Sequence, residues 1–165
     1  MRYGVIAVLV SAQLVLLLLG HSSLVPLGLA SPAVLLLTGT DFESLAGSLS
    51  KKGVKATAPA QIVGKSGVKH EFAFAVRPDE ARAKVVVDTE LSVKDVEEMK
   101  VLKFYVKVFD VGPENAILCV SPRLSGRAAD LAREYGIKVV QDDVPKKLAG
   151  LASKAIGEIL GKGAR

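Results

Sequence analysis

Two alternating stretches in the middle of the chain carry its clearest pattern. In HEFAFAV, residues 70–76, strand alternation sets Glu71, Ala73 and Ala75 on one side and Phe72, Phe74 and Val76 on the other. In VVVDTEL, residues 85–91, it sets Val86, Asp88 and Glu90 on one side and Val85, Val87, Thr89 and Leu91 on the other. The polar segment RPDEARAK between them predicts a hairpin that buries two apolar faces and gathers carboxylates near Ala73. Just upstream, GKSG carries Lys65, with Lys69 soon after. Its glycines would let a phosphate approach backbone N–H groups, and an ordinary tight turn accounts for them equally well. His70 beside Glu71 reads as a strand-edge histidine.

The flanking segments alternate between helical and strand patterns. Phe42, Leu45, Ala46 and Leu49 form an apolar stripe that predicts a helix starting near Phe42, capped by Thr40 or Asp41, and ending before Gly53. Glu43 lies off that stripe, either as a first-turn acid that suits the helix dipole or as a carboxylate reaching toward the strand surface. Residues 54–63 read as a strand interrupted by Pro59, hence an edge or bent one. After the hairpin a helix is predicted over 93–110, capped by Ser92, with Val101, Phe104, Tyr105 and Val108 toward the sheet. Its Lys100, Lys103 and Lys107 share another face, a solvated surface or a contact for a polyanion.

Gly112-Pro113 ends that helix, and residues 115–121 form an apolar run suited to an interior strand. SGRAADLAREYG is a capped helix with Ala128, Leu131, Ala132 and Tyr135 on its apolar side, closed by Gly136. A short strand at 137–140 completes a βαβ unit with parallel pairing. From Pro145 an amphipathic helix follows, with Leu148, Leu151, Ala152, Ala155, Ile156 and Ile159 on its apolar side.

The first 40 residues contain Arg2 as their one Lys or Arg, and no Asp or Glu. Residues 4–20 and 24–37 are apolar runs, each short of the roughly 20 residues of a spanning helix. We read residues 1–38 as a hydrophobic leader and 39–165 as the folded domain. The leader is a membrane anchor or helical hairpin within 4–37, a secretory signal with Gly28-Leu29-Ala30 as its cleavage site, or a misassigned start. An exported location follows from a signal, and a cytoplasmic, membrane-associated one from a hairpin.

The 165 residues suit one domain with an added segment, and the formal charge of +5 makes the domain mildly basic, which permits nucleic acid without demanding it. Cys119 is the single cysteine, so no intramolecular disulfide exists, and its run AILCV marks it as core. Two scattered histidines and that cysteine give no zinc-ligand spacing.

In this order, TDFESLAGSLSKKG, GKSGVKHEFAF, VVVDTEL, EEMKVLKFYVKVFD, AILCVSP and RAADLAREYGIKVV resemble the restriction-endonuclease-like superfamily, the PD-(D/E)xK nucleases, and within it the Mrr-like and archaeal branches. The resemblance implies an α/β fold: a mixed central sheet flanked by helices, preceded by the hydrophobic N-terminal segment. It also implies DNA as partner, magnesium as cofactor of any active form, and pairing into homodimers. Carried over, the family's first Asp falls at Ala73, the acid of its second motif at Asp88, its lysine at Glu90, and its helix acid at Glu43. Asp88 and Glu90 would be the metal ligands. Two expected groups are thus replaced, and rescue would need Glu71 as the missing acid and Lys103 or Lys107 as the missing cation. DNA contacts are expected from Lys65, Lys69, Lys100, Lys103 and Lys107. The resulting expectation is a nuclease-fold DNA-binding protein of impaired catalysis. Its alternatives are an active magnesium-dependent endonuclease with migrated residues and a membrane-tethered interaction domain.

Overall fold

The computed structural model describes residues 32–77 and 82–162. Its organising element is the strand β5, Val85–Leu91, paired in parallel with β6, Asn115–Ser121, over seven residues from Val85 against Asn115 to Leu91 against Ser121. β6 is buried almost throughout, as its unbroken apolar run requires. On its far side lies β7, Lys138–Gln141, also parallel. On the near side of β5 the sheet turns antiparallel through β4, Phe74–Val76, and ends at the two-residue β1, Ala56–Thr57. The five-stranded sheet therefore runs β1-β4-β5-β6-β7 and is mixed, as expected.

Helices cover both faces. On one face Val86, Leu118 and Val120 meet helix α2, Glu98–Val111, through Val101 and Phe104, and helix α3, Gly126–Glu134, through Ala128 and Ala132. On the other, Val85, Val87, Ile117 and Cys119 meet α1, Pro32–Lys51, through Phe42 and Ala46. They also meet α4, Leu148–Lys162, through Leu148, Ala152 and Ile156. The parallel links β5–α2–β6 and β6–α3–β7 follow from the need of parallel strands for a crossover element. Ser125 caps α3, its Oγ accepting from the Ala128 N–H at 3.2 Å. Gly112 closes α2 at φ 65°, its N–H donating to the Val108 carbonyl.

Several expectations change. Residues 54–63 do not form one strand: the chain breaks at Pro59, and β2, Ala60–Val63, leaves to pair with β3, Lys69–Phe72, in a separate two-stranded sheet. Residues 70–76 likewise divide at Ala73. Phe72 crosses to the α2 face, where it meets Phe104 edge-on at 6.4 Å, while Phe74 stays on the α1 face beside Phe42. α1 begins at Pro32, so Thr40 and Asp41 lie inside it instead of capping it, and the expected boundary at 38/39 falls within a helix. α2 starts at Glu98 and not at Val93, because the preceding backbone is diverted into a parallel bridge between Val96 and Leu124 that buries Val96. Leu151, expected on the apolar side of α4, is partly exposed.

Residues 1–31, which carry most of the apolar leader, lie outside the described residues; among those described, no helix is long and apolar enough to cross a membrane. Phe74 is fully buried and abuts Phe42 across the sheet–helix interface. Phe74→Ala is expected to destabilise the protein by ~3–5 kcal/mol, read as a lowered urea midpoint at unchanged slope.

Candidate nucleic-acid interface

Asp88 and Glu90 project from β5 toward the α2 face, as the strand period requires. Two turns of α2 set lysines opposite them. Lys107 donates to Asp88 Oδ2, and Lys100 donates to Glu90 Oε2 at 2.9 Å. Lys107 also lies over the Phe72 ring, 4.8 Å from its centroid, so the bend at Ala73 gives its ammonium an aromatic floor. The lysine face expected from the wheel is therefore mostly consumed inside the molecule. Lys103, between its two neighbours on that face, is exposed.

The other expected residues divide between this surface and elsewhere. Ala73 lies at the bend just before β4, whose register sets Phe74 against Val87, and its methyl packs on the Phe42–Phe74 side of the sheet, away from the face that carries Asp88. Glu71 is exposed on β3, set against Gln61 in the small sheet. Glu43 is exposed on α1, a helix packed by Phe42 and Ala46 on the opposite face of the main sheet. Neither acid is brought to Asp88 and Glu90 by any hydrogen bond. Among the described residues no three His, Cys, Asp or Glu side chains come together as a metal site. As arranged, the residues do not fit a magnesium ion: the two carboxylates each hold an ammonium, and neither Glu71 nor Glu43 stands beside them. Cys119, one strand away, is an inert core thiol pushed up to about 12, mainly by burial and further by the Asp88 charge.

The loop between β2 and β3 is built around a residue the sequence did not single out. Asp110, in the last turn of α2, accepts from the Ser66 N–H at 2.9 Å and from Ser66 Oγ at 2.6 Å. His70 Nε2 donates to it at 2.6 Å. Lys65 N–H donates to the Asp110 carbonyl at 3.0 Å, Gly67 N–H to the Gly64 carbonyl, and Gly64 N–H to the Val68 carbonyl. These backbone donors, which a phosphate would need, are spoken for, and Asp110 takes the anion's place. The phosphate-cradle reading is corrected accordingly, and His70 is a latch to α2 instead of a plain edge residue. Gly64 is the signal that sequence alone undervalues: a Cβ there would lie 1.9 Å from Asp110 Oδ2. The latch brings Lys65 against Gly112 and holds Lys69 at the start of β3, so the loop lysines adjoin the C-terminal turn of α2.

A concavity of about 730 Å³ lies at the opposite end of the sheet, lined by Lys84, Asn115, Tyr135 and Lys138, and shares no residue with the lysine–carboxylate surface.

No family model and no curated protein matches the chain. Solved structures do. The protein of unknown function AF1548 matches with a TM-score of 0.51 at 16% identity over 73% of this chain and 67% of its own. VC1899 from Vibrio cholerae matches with 0.51 at 12% identity over 74% of this chain and 33% of its own. Can2 from Sulfobacillus thermosulfidooxidans, solved in complex with cyclic tetra-adenylate, gives 0.48 at 17% identity over 70% of this chain and 34% of its own. The chain thus spans about a third of the length of the latter two. Together with the helix, hairpin, helix, strand, helix, strand order around a mixed sheet, the first two likenesses bear on the fold alone. The fold shared with them is a mixed α/β sheet flanked by helices on both faces.

Two outcomes test the latch. Gly64→Ala is expected to displace Asp110 and destabilise the protein by ~1–3 kcal/mol in a denaturant titration, with Asp110→Ala partly relieving the defect of the double variant. The Asp110 carboxyl is lowered from 3.8 to about 2, chiefly by the Ser66 hydroxyl and then by His70. A lowered folded-state value means that the latch contributes fully above the unfolded value of 3.8 and is lost as pH falls toward 2. The stability gap between wild type and Asp110→Asn is therefore expected to be flat above pH ~4 and to close between pH ~4 and ~2.

Proposed function

We propose that the protein is a nucleic-acid-binding module of restriction-endonuclease-like fold, akin to the Mrr-like and archaeal branches, whose former catalytic surface holds charge instead of metal. The observation that carries this reading is the Lys107–Asp88 ion pair, with Lys100 on Glu90 beside it. Where the nuclease chemistry needs two carboxylates on one divalent cation, both carboxylates here already hold an ammonium. DNA is the proposed partner because exposed lysines gather around this surface in a domain that is basic overall.

Internal neutralisation ranks those lysines. Lys100 and Lys107 are paired with carboxylates and contribute little net field, whereas Lys65, Lys69 and Lys103 are exposed. Magnesium enters only through an active form with migrated groups, for which Lys107 beside Asp88 is the one favourable feature.

A binding and cleavage titration of duplex DNA across salt, with and without magnesium or manganese, separates the readings. We expect salt-dependent binding without cleavage. Lys103→Ala should flatten the log–log salt slope by about 1, and Lys100→Ala by much less. Asp88→Ala should tighten binding by roughly two- to five-fold, since it leaves Lys107 uncompensated. Metal-dependent cleavage lost in Asp88→Ala would overturn the proposal in favour of an active nuclease. Absence of binding at low salt would remove nucleic acid from the reading and return attention to the apolar leader and a protein partner.

A further inference from the structure

Met99, Leu102, Val106 and Phe109 recur along α2 at spacings of three, four and three. At about 100° per residue they occupy one arc of roughly 80°, turned away from Val101 and Phe104, which face the sheet. A helix covering a sheet normally gives that outer arc to charged side chains. Here Met99 is 59%, Val106 61% and Phe109 69% exposed. One wall of the stripe is fixed: Tyr105 stacks on Tyr135 at 3.9 Å and meets Phe109 at 6.1 Å.

The spacing is that of a two-helix seam, in which residues alternating by three and four meet their equivalents on a partner helix. The flanking charges suit a partner of identical sequence. Glu98 borders the stripe on one side and Lys103, five residues on, borders it on the other. In two parallel copies of α2 laid side by side, Glu98 of one copy falls across from Lys103 of the other. Glu98 reaches Arg127 at 4.0 Å, the outer limit of an ion pair, with Arg127 almost fully exposed, so this local contact does not compete strongly.

We infer that this stripe is the seam of a symmetric dimer, with α2 of one copy packed in parallel on α2 of a second copy. Lys100 and Lys107 lie well around the helix from the stripe, so the pairing leaves the lysine–carboxylate surface open.

The test is sedimentation equilibrium of the full chain over a range of concentrations, with a disulfide trap beside it. Cys119 is the single cysteine and is fully buried, so Val106→Cys supplies one accessible thiol on the seam. Mild oxidation is expected to give a covalent dimer of Val106→Cys and none of Glu71→Cys. Val106→Glu, at an exposed position that does not endanger folding, should raise the dimer dissociation constant at least ten-fold. Lys103→Glu should weaken the dimer and Glu98→Lys in the same chain should restore it. A wild-type chain that stays monomeric up to about 100 µM overturns the inference. So does a dimer indifferent to Val106→Glu, or equal trapping at positions 71 and 106. A monomer whose melting temperature falls in Val106→Glu also overturns it, and assigns the stripe to cover by residues 1–31 of the same chain.

Discussion

Everything in this domain hangs on burying β5 and β6 from both sides while they pair in parallel. The seven-residue register between them aligns Val85, Val86 and Val87 with a strand buried almost throughout, and each face then demands its own pair of helices. α2 and α3 answer on one face, α1 and α4 on the other. The sheet could not be exposed on either side without leaving large aliphatic area in water. Since parallel strands need crossovers, the same pairing fixes where α2 runs, and with it which lysines face which carboxylates.

The charge arrangement is a consequence of that placement. Asp88 and Glu90 sit at the half-exposed end of a buried strand, where an unpaired carboxylate would lose hydration without compensation. Lys107 and Lys100, two helical turns apart, each meet one of them. The surface is thus made self-sufficient in charge. What remains for a polyanion is the set of lysines left outside those pairs, together with those on the β2–β3 loop.

That loop is held by Asp110 through contacts from three residues more than 35 positions away in the chain. The carboxylate organises it from the inside, and Gly64 is needed because the approach leaves no room for a Cβ. A loop so tied is a fixed platform for Lys65 and Lys69, and it couples the small sheet to the helix that bears the other lysines.

The sequence by itself determined the order of elements, the interior strand at 115–121, the capped helix at Ser125, the βαβ unit, the same-face placement of Asp88 and Glu90, and the core position of Cys119. These are local matters, set by periodicity, caps and apolar runs that act over a few residues. The interruption at Pro59 was legible, but the departure of residues 60–63 into a second sheet and the break at Ala73 were decided by tertiary packing: Phe72 gains a partner in Phe104 that strict alternation would have denied it. The late start of α2 was decided in the same way, by the bridge from Val96 to Leu124. So was the site. A lysine stripe and a pair of acids are each visible in one dimension, but whether they face a ligand or each other depends on the crossover that stacks α2 over β5, and only the folded chain supplies that distance.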